Sequence, residues 1–215
     1  MEINQSIQTF SLLALPLLLA LTLHELAHGW VAEKLGDGTA RDAGRLTMNP
    51  LKHLDLMGTL VFVVTQLVGW AKPVPVDPRN FRNPKKDMAI VAAAGPLVNI
   101  IIAIVSAILL RLQEPAVGLI LNYQFNDLLY VVLPVFYMIN ISVRINVALA
   151  IFNIIPIPPL DGGRVLAGVL SHEQVIKFSK IEPYGFIIIV VLLMSGIIGK
   201  AIFPIIMTIT KLLLG

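Results

Sequence analysis

Phe10-Ser11-Leu12-Leu13-Ala14-Leu15-Pro16-Leu17-Leu18-Leu19-Ala20-Leu21-Thr22-Leu23-His24-Glu25-Leu26-Ala27-His28-Gly29-Trp30 opens apolar and closes on three ionisable side chains. With the residues that follow, the run from Phe10 to Leu23 is long enough for a membrane-spanning helix, which needs roughly 20 residues. A helix from about Gln8 to Leu35 is expected. Glu2 is the only charge ahead of the run. No Lys or Arg precedes it, so it reads as a retained span rather than a secretory leader. On a helix, His24 and His28 are four positions apart and share a face, so both imidazoles can reach one Zn²⁺. Glu25 projects beside them, where it can take a proton from a water on the metal. Zinc lowers the pKa of such a water to about 7. The histidine pair must therefore lie within the membrane or close to its surface.

The bulk chemistry agrees. The chain has 215 residues, 57% hydrophobic and only 13% charged, with a mean hydropathy of +0.85. A soluble domain carries about 25% charged residues. So few polar groups cannot cover a water-facing surface, and the expected solvent is the lipid bilayer. The length fits a single membrane-embedded domain over 1–215. There are no cysteines, which excludes a disulfide framework and a thiolate metal site. No basic face with interleaved aromatics appears, so a nucleic-acid partner is not expected.

Beyond the first helix, residues 36–87 are rich in Lys, Arg and Pro and enclose one apolar run, Leu56 to Trp70, that would span or re-enter. Ala71-Lys72-Pro73-Val74-Pro75-Val76 reads as an extended edge strand, because proline confines strands to edges and forbids a regular helix. Met88 to Leu112 is a clear span with Gly95, Pro96 and Asn99 inside it. Leu128 to Pro156 is a long helix that is unusually polar for a span, with Asn140, Arg144, Asn146 and Asn153. Such groups normally face a bundle interior or a watery cavity. Prolines 156, 158 and 159 end that helix ahead of Leu160-Asp161-Gly162-Gly163, where the glycines allow a tight turn. Tyr184 to Leu214 is apolar again and would cross once or twice.

Basic residues set the expected topology. Lys34, Arg41, Arg45, Lys52, Lys72, Arg79, Arg82, Lys85 and Lys86 cluster before the middle span. Arg164, Lys177 and Lys180 follow the Pro-Asp turn, while 112–127 has no basic residue. The positive-inside rule then puts 36–87 and 161–183 in the cytosol and 112–127 outside. The end of the first helix and the Pro-Asp turn would share the cytosolic face of a multi-pass plasma-membrane protein.

A catalytic zinc site uses three protein ligands and leaves one position open. The other histidines, His53 and His172, have charged or loop-like flanks. Asp161, in a rigid turn on the same membrane face as His28, is the better third ligand; the alternative is that it only caps the helix after it.

Three motifs in this order resemble the site-2 proteases: His24-Glu25-x-x-His28 in a first apolar helix, Gly95-Pro96-x-x-Asn99 in a middle span, and Asn153-x-x-Pro156 through Asp161-Gly162 after a later one. The resemblance covers about residues 10–170, and Gly69-Trp70-Ala71-Lys72-Pro73-Val74-Pro75-Val76 adds a match to compact prokaryotic members. It implies an all-α polytopic bundle of about six transmembrane helices with a small membrane-associated β element. The catalytic core would lie at about 8–170, with C-terminal helices at about 184–214. It implies an intramembrane zinc metalloprotease in which His24, His28 and Asp161 hold Zn²⁺ and Glu25 is the general base. By the same resemblance, Asn153 would bond the substrate carbonyl or oxyanion, and Asn99 would bind substrate backbone; the alternative for Asn99 is that it bonds a neighbouring helix. The implied partners are transmembrane proteins such as anti-sigma factors or membrane-tethered regulators, cut within or beside their spans. The extended edge would pair with an unwound substrate by strand addition. Many members carry an inserted PDZ domain or appended CBS pair; gating by these modules is not expected here.

Two other function classes compete with a protease. A non-catalytic scaffold would close its metal site with a fourth ligand and would not need Glu25. A lipid or prenyl hydrolase would share the zinc chemistry, but an extended Pro-Val-Pro-Val edge suits a peptide.

Overall fold

The computed structural model describes residues 2–65 and 69–215, and follows 2–10, 62, 64 and 65 by their backbone alone. The helices are α1 (Glu2–Lys34), α2 (Thr39–Asp42), α3 (Leu56–Thr65), α4 (Pro84–Leu110), α5 (Gln113–Asn122), α6 (Leu129–Asn153), α7 (Asp161–Val169), α8 (His172–Ser179), α9 (Gly185–Met194) and α10 (Ile197–Leu214). Among the described residues there is no sheet, so the architecture is polytopic and all-helical.

The packing is inside-out relative to a water-soluble bundle. The face of α4 that α1 and α6 cover is built from Val91, Ala92, Gly95, Pro96, Asn99, Ala103, Ser106 and Ala107, mostly small or polar residues at helical spacing. The large side chains Ile90, Leu97, Ile100, Ile101, Ile104, Val105 and Ile108 point outward. Lipid tails are as apolar as leucine, so helices gain little by burying leucines against each other. They associate through close backbone approach and hydrogen bonds instead. The Ser106 and Ser142 hydroxyls, 3.0 Å apart, link α4 to α6 in this way.

Of the six or so spans expected, four stretches have the length and hydropathy to cross a bilayer: Ser11–Lys34, Pro84–Asn122, Asn126–Asn153 and Ile197–Leu214. α3 and α9 have 10 residues each, too few to cross alone. The apolar run that contains α3 continues through 66–68, outside the described residues. The last apolar stretch is two helices, because Gly196 adopts φ 74° and breaks the chain between α9 and α10.

The expected β element reduces to one antiparallel bridge between Leu54 and Ala71, with the Lys72 N–H donating to the His53 carbonyl at 2.8 Å. A longer ladder cannot form, because Pro73 and Pro75 have no N–H to donate. The segment is instead pinned by groups from outside it. Arg45 Nη2 donates to the Lys72 carbonyl at 2.7 Å, and the Asp77 N–H donates to Asp37 Oδ2 at 2.8 Å. Asp37 can do this because α1 stops just before it. Gly36 takes φ 112°, and the Asp37 N–H turns back to the Ala32 carbonyl, a Schellman-type end.

Candidate metal centre

His24 and His28 lie on the buried face of α1, one turn apart. The α4 backbone lies directly against them. A Cβ at Gly95 would fall 2.4 Å from His28 Nε2 and 2.6 Å from His24 Nε2, so only glycine lets the helices close here. One turn before Gly95, the Val91 carbonyl accepts from His28 Nδ1 at 2.7 Å. One turn after it, Asn99 Oδ1 accepts from His24 Nδ1 at 2.6 Å. Gly-Pro-x-x-Asn is thus the surface of α4 that receives the histidine pair.

These contacts fix both imidazole tautomers. A carbonyl only accepts, so His28 carries its proton on Nδ1. Asn99 Nδ2 donates to the Ala20 carbonyl at 3.3 Å and to Asn146 Oδ1 at 2.7 Å, which turns Asn99 Oδ1 toward His24. Asn146 is held in turn by donating from Nδ2 to the Ser142 carbonyl at 2.8 Å. Both Nε2 atoms are left with a lone pair, and both aim at the same point. Partners of this kind orient metal-binding histidines and raise their basicity.

Asp161 completes the cluster. Its Oδ2 is 3.1 Å from His24 Nε2 and 3.3 Å from His28 Nε2, and the two Nε2 atoms are 3.1 Å apart. Asp161 is the first residue of α7. Leu160, the preceding cap residue, makes no side-chain cap bond, and the helix N-terminus favours a carboxylate there. The turn that delivers it depends on close approach. A Cβ at Gly162 would lie 2.1 Å from the Ile154 carbonyl oxygen, and one at Gly163 would lie 2.7 Å from Pro158 N. Neither glycine has positive φ, so missing bulk rather than turn geometry is what they contribute.

The donor set fits a metal ion. Asp161 Oδ2 is buried without a hydrogen-bond donor, and two nitrogen lone pairs face it. Three such donors repel one another unless a cation lies between them. A tetrahedral ion with bonds of about 2.0–2.1 Å holds its ligand atoms about 3.3–3.4 Å apart. The observed edges of 3.1, 3.1 and 3.3 Å come close to that before any ion is present. His24, His28 and Asp161 can therefore hold a metal ion through one atom each.

Glu25 is half-buried next to the pair, and its Oε2 accepts from the Val74 N–H at 2.9 Å. Asn153 ends α6, and its Nδ2 donates to the Leu149 carbonyl at 3.0 Å. Asn99, read from the sequence as a substrate contact, is fully buried and bonds His24, Ala20 and Asn146. His53 is also fully buried, with Nε2 on the Thr47 carbonyl at 2.9 Å, away from the cluster. Sequence reasoning missed Val91, Val74 and Asn146. The backbone groups leave no trace in side-chain identity. Asn146 was noted only as one polar residue in an apolar helix.

The sequence pattern of peptidase family M50 matches residues 12–196, which contain the whole cluster. YwhC of Bacillus subtilis, named as a candidate zinc metalloprotease, is 38% identical over 192 residues, covering 89% of this chain and 84% of its own. Rip2 of Mycolicibacterium smegmatis, named in the same way, is 27% identical over 88% of this chain and 69% of its own. Zinc metalloprotease MJ0392 of Methanocaldococcus jannaschii is 26% identical over 90% of this chain, but that match spans 45% of its own length. No solved structure matches the chain. The family match over most of the chain and the named relatives agree with the cluster of two histidines and an aspartate, and the chain belongs to peptidase family M50, the site-2 protease family of zinc metalloproteases.

Proposed function

We infer that this protein cuts peptide bonds within or next to the transmembrane segments of other membrane proteins, with Zn²⁺ held by His24, His28 and Asp161. The observation that carries this reading is the convergence of three proton-free donors within 3.3 Å, two of them on a helix apolar enough to span a bilayer. A zinc ion at this position supplies a Lewis acid that acidifies water and polarises a carbonyl.

The chain's own residues supply the remaining chemistry. Glu25 is the general base that takes the proton of the attacking water and returns it to the leaving amine. The Val74 N–H holds one of its carboxylate oxygens and leaves Oε1 without a partner among the described residues. Asn153 bonds Leu149 through one amide hydrogen and has a second available. It is assigned to the carbonyl oxygen where negative charge develops. Removal of such a donor costs about 10²–10³ in rate. Asn99 and Val91 keep the two imidazoles in register. The assigned orientation puts this site toward the cytosolic side of the plasma membrane, and the substrates are membrane-tethered regulators such as anti-sigma factors.

The test is cleavage of a transmembrane substrate by the purified protein in detergent or vesicles, with products identified by mass spectrometry. Cuts in or beside the span should vanish in Glu25→Gln, which should still retain zinc. Equal cutting by both proteins would remove Glu25 from the mechanism. Release of lipid without peptide ends would assign the site to another class of bond.

A further inference from the structure

Arg144 has no part in the metal centre, yet it is a charge in the middle of a span. α4 has 27 residues and is about 40 Å long, and Asn99 lies near its middle. Asn146 is bonded to Asn99, and Arg144 is two residues away, about 3 Å along the axis. That puts Arg144 near the centre of a hydrocarbon layer about 30 Å thick. Its side chain is exposed, and its partner among the described residues is Asn140 Oδ1 at 3.0 Å on the same helix. An exposed guanidinium at that depth is costly without a counter-charge.

The surroundings of Arg144 describe what would cover it. Val143, Asn146, Val147 and Ala150 form the buried stripe of α6. At roughly 100° per residue, Arg144 lies about a quarter-turn or more around from that stripe, on one flank with Leu133, Tyr137 and Asn140. Leu133 and Tyr137 are exposed as well. The flank therefore offers an apolar track interrupted by a phenol, an amide and a cation at helical spacing. A second copy of the chain has no carboxylate to meet it. Glu25 and Asp161 belong to the metal centre, Glu33 and Asp87 lie at one end of the spans, Glu114 and Asp127 at the other, and α10 has none. Two copies meeting on this flank would instead oppose two cations.

We propose that this flank of α6 docks a transmembrane helix of a companion membrane protein carrying a carboxylate at mid-membrane depth. The companion is not the substrate. Asn153 is nine positions beyond Arg144, about 180° around α6, so a helix seated on Arg144 leaves the Asn153 side free. Polar and ionic pairs inside a membrane are a strong source of partner choice, because the unpaired alternative is so unfavourable.

Binding can be measured without relying on proteolysis. The full chain has no cysteine, so a donor dye on Tyr130→Cys reports approach of a labelled peptide in phosphatidylcholine vesicles. The probes are leucine–alanine transmembrane peptides with a central glutamate, glutamine or lysine. The glutamate peptide should bind at least about tenfold more tightly than the glutamine peptide. Arg144→Gln should abolish that difference, and Arg144→Glu should transfer the preference to the lysine peptide. Arg144→Lys, which keeps the charge and controls for a folding defect, should retain the glutamate preference. Equal binding of the two peptides by the wild type, or a preference that survives Arg144→Gln, overturns the proposal. So does an Arg144 effect seen only with anionic lipid, which assigns the residue to headgroups. Cleavage of the bound glutamate peptide would make the flank a substrate site and overturn the companion assignment.

Discussion

The Val74 amide donates to the Glu25 carboxylate across 2.9 Å, so a proline-bounded segment outside the spans is joined to the helix that carries both histidines. Pro73 and Pro75 keep that segment extended. Every other described tether on it also uses backbone: the Lys72 N–H on His53, the Lys72 carbonyl on Arg45 and the Asp77 N–H on Asp37. Most of its donors are therefore already committed inside the protein, and it acts as a brace on the general base.

Removing that one N–H should impair catalysis without removing the metal. Val74→Pro deletes the donor and keeps an extended backbone, while Val74→Ala keeps the donor and loses the side chain. A hydrogen bond to a charged group contributes about 1.5–3 kcal/mol, so Val74→Pro should lower kcat about tenfold or more, with zinc content unchanged. Equal kcat for the two variants would show that the amide does not position Glu25.

Gly95→Ala should expel or weaken the metal. The new methyl would lie 2.4–2.6 Å from imidazole atoms of His24 and His28, so α1 and α4 must separate or the rings must turn. Overpacking of this kind costs typically about 1–3 kcal/mol. Zinc per chain, read by elemental mass spectrometry, should fall well below that of the wild type. Full zinc occupancy with unchanged activity would contradict the contact.

Asn99→Ala should act on His24 through the ring's far nitrogen. Loss of the Oδ1 acceptor frees the tautomer, and changes in such outer partners cost about 10–100-fold in metal affinity. Asn99→Asp keeps an acceptor toward His24 and should recover part of the loss. Chelator competition measures both. If Asn99→Ala binds zinc as tightly as the wild type, the relay from Ser142 through Asn146 and Asn99 does not set the histidine.

Asp37 predicts an acid-sensitive brace. Burial pushes its carboxyl up, but bonds from the Thr39 hydroxyl, Asn80 Nδ2 and the Asp77 and Thr39 amides outweigh that and hold its pKa below the ordinary 3.8. A depressed folded pKa adds stability that is fully present above the unfolded value and lost as pH falls through the folded one. Asp37→Asn should therefore lower Tm at neutral pH, by about 1–3 kcal/mol of stability if the buried donors are left unpaired. The gap from the wild type should shrink below pH 3.8. A gap independent of pH down to the acid limit would mean that the charge does not contribute.

Some of this was legible in the chain, because its cause lies within a few residues. Apolar runs at least 18 residues long imply spans whatever their neighbours are, and α1, α4 and α6 lie close to where the runs place them. His24, Glu25 and His28 depend only on helical periodicity. Asp161 was reachable as a candidate because its proline-rich turn narrows where it can sit. Gly95-Pro96-x-x-Asn99 was visible as a pattern, but its reason was not, since it lies in the outline of a different helix. The number of spans was harder to read, because hydropathy does not distinguish a ten-residue helix from half of a longer one until a break such as Gly196 is seen.

What the sequence by itself determined was therefore local: helix placement, the histidine pair and the carboxylate beside it. Only the tertiary structure decided how those groups are tuned. His24 meets Asn99 across 75 positions, His28 meets Val91 across 63, and Glu25 meets Val74 across 49. Two of these three contacts use backbone atoms, which every residue other than proline offers equally as donors and every residue offers as acceptors. Which of them meets a histidine or a glutamate depends on which helix faces come together, and that is decided by packing across the whole bundle.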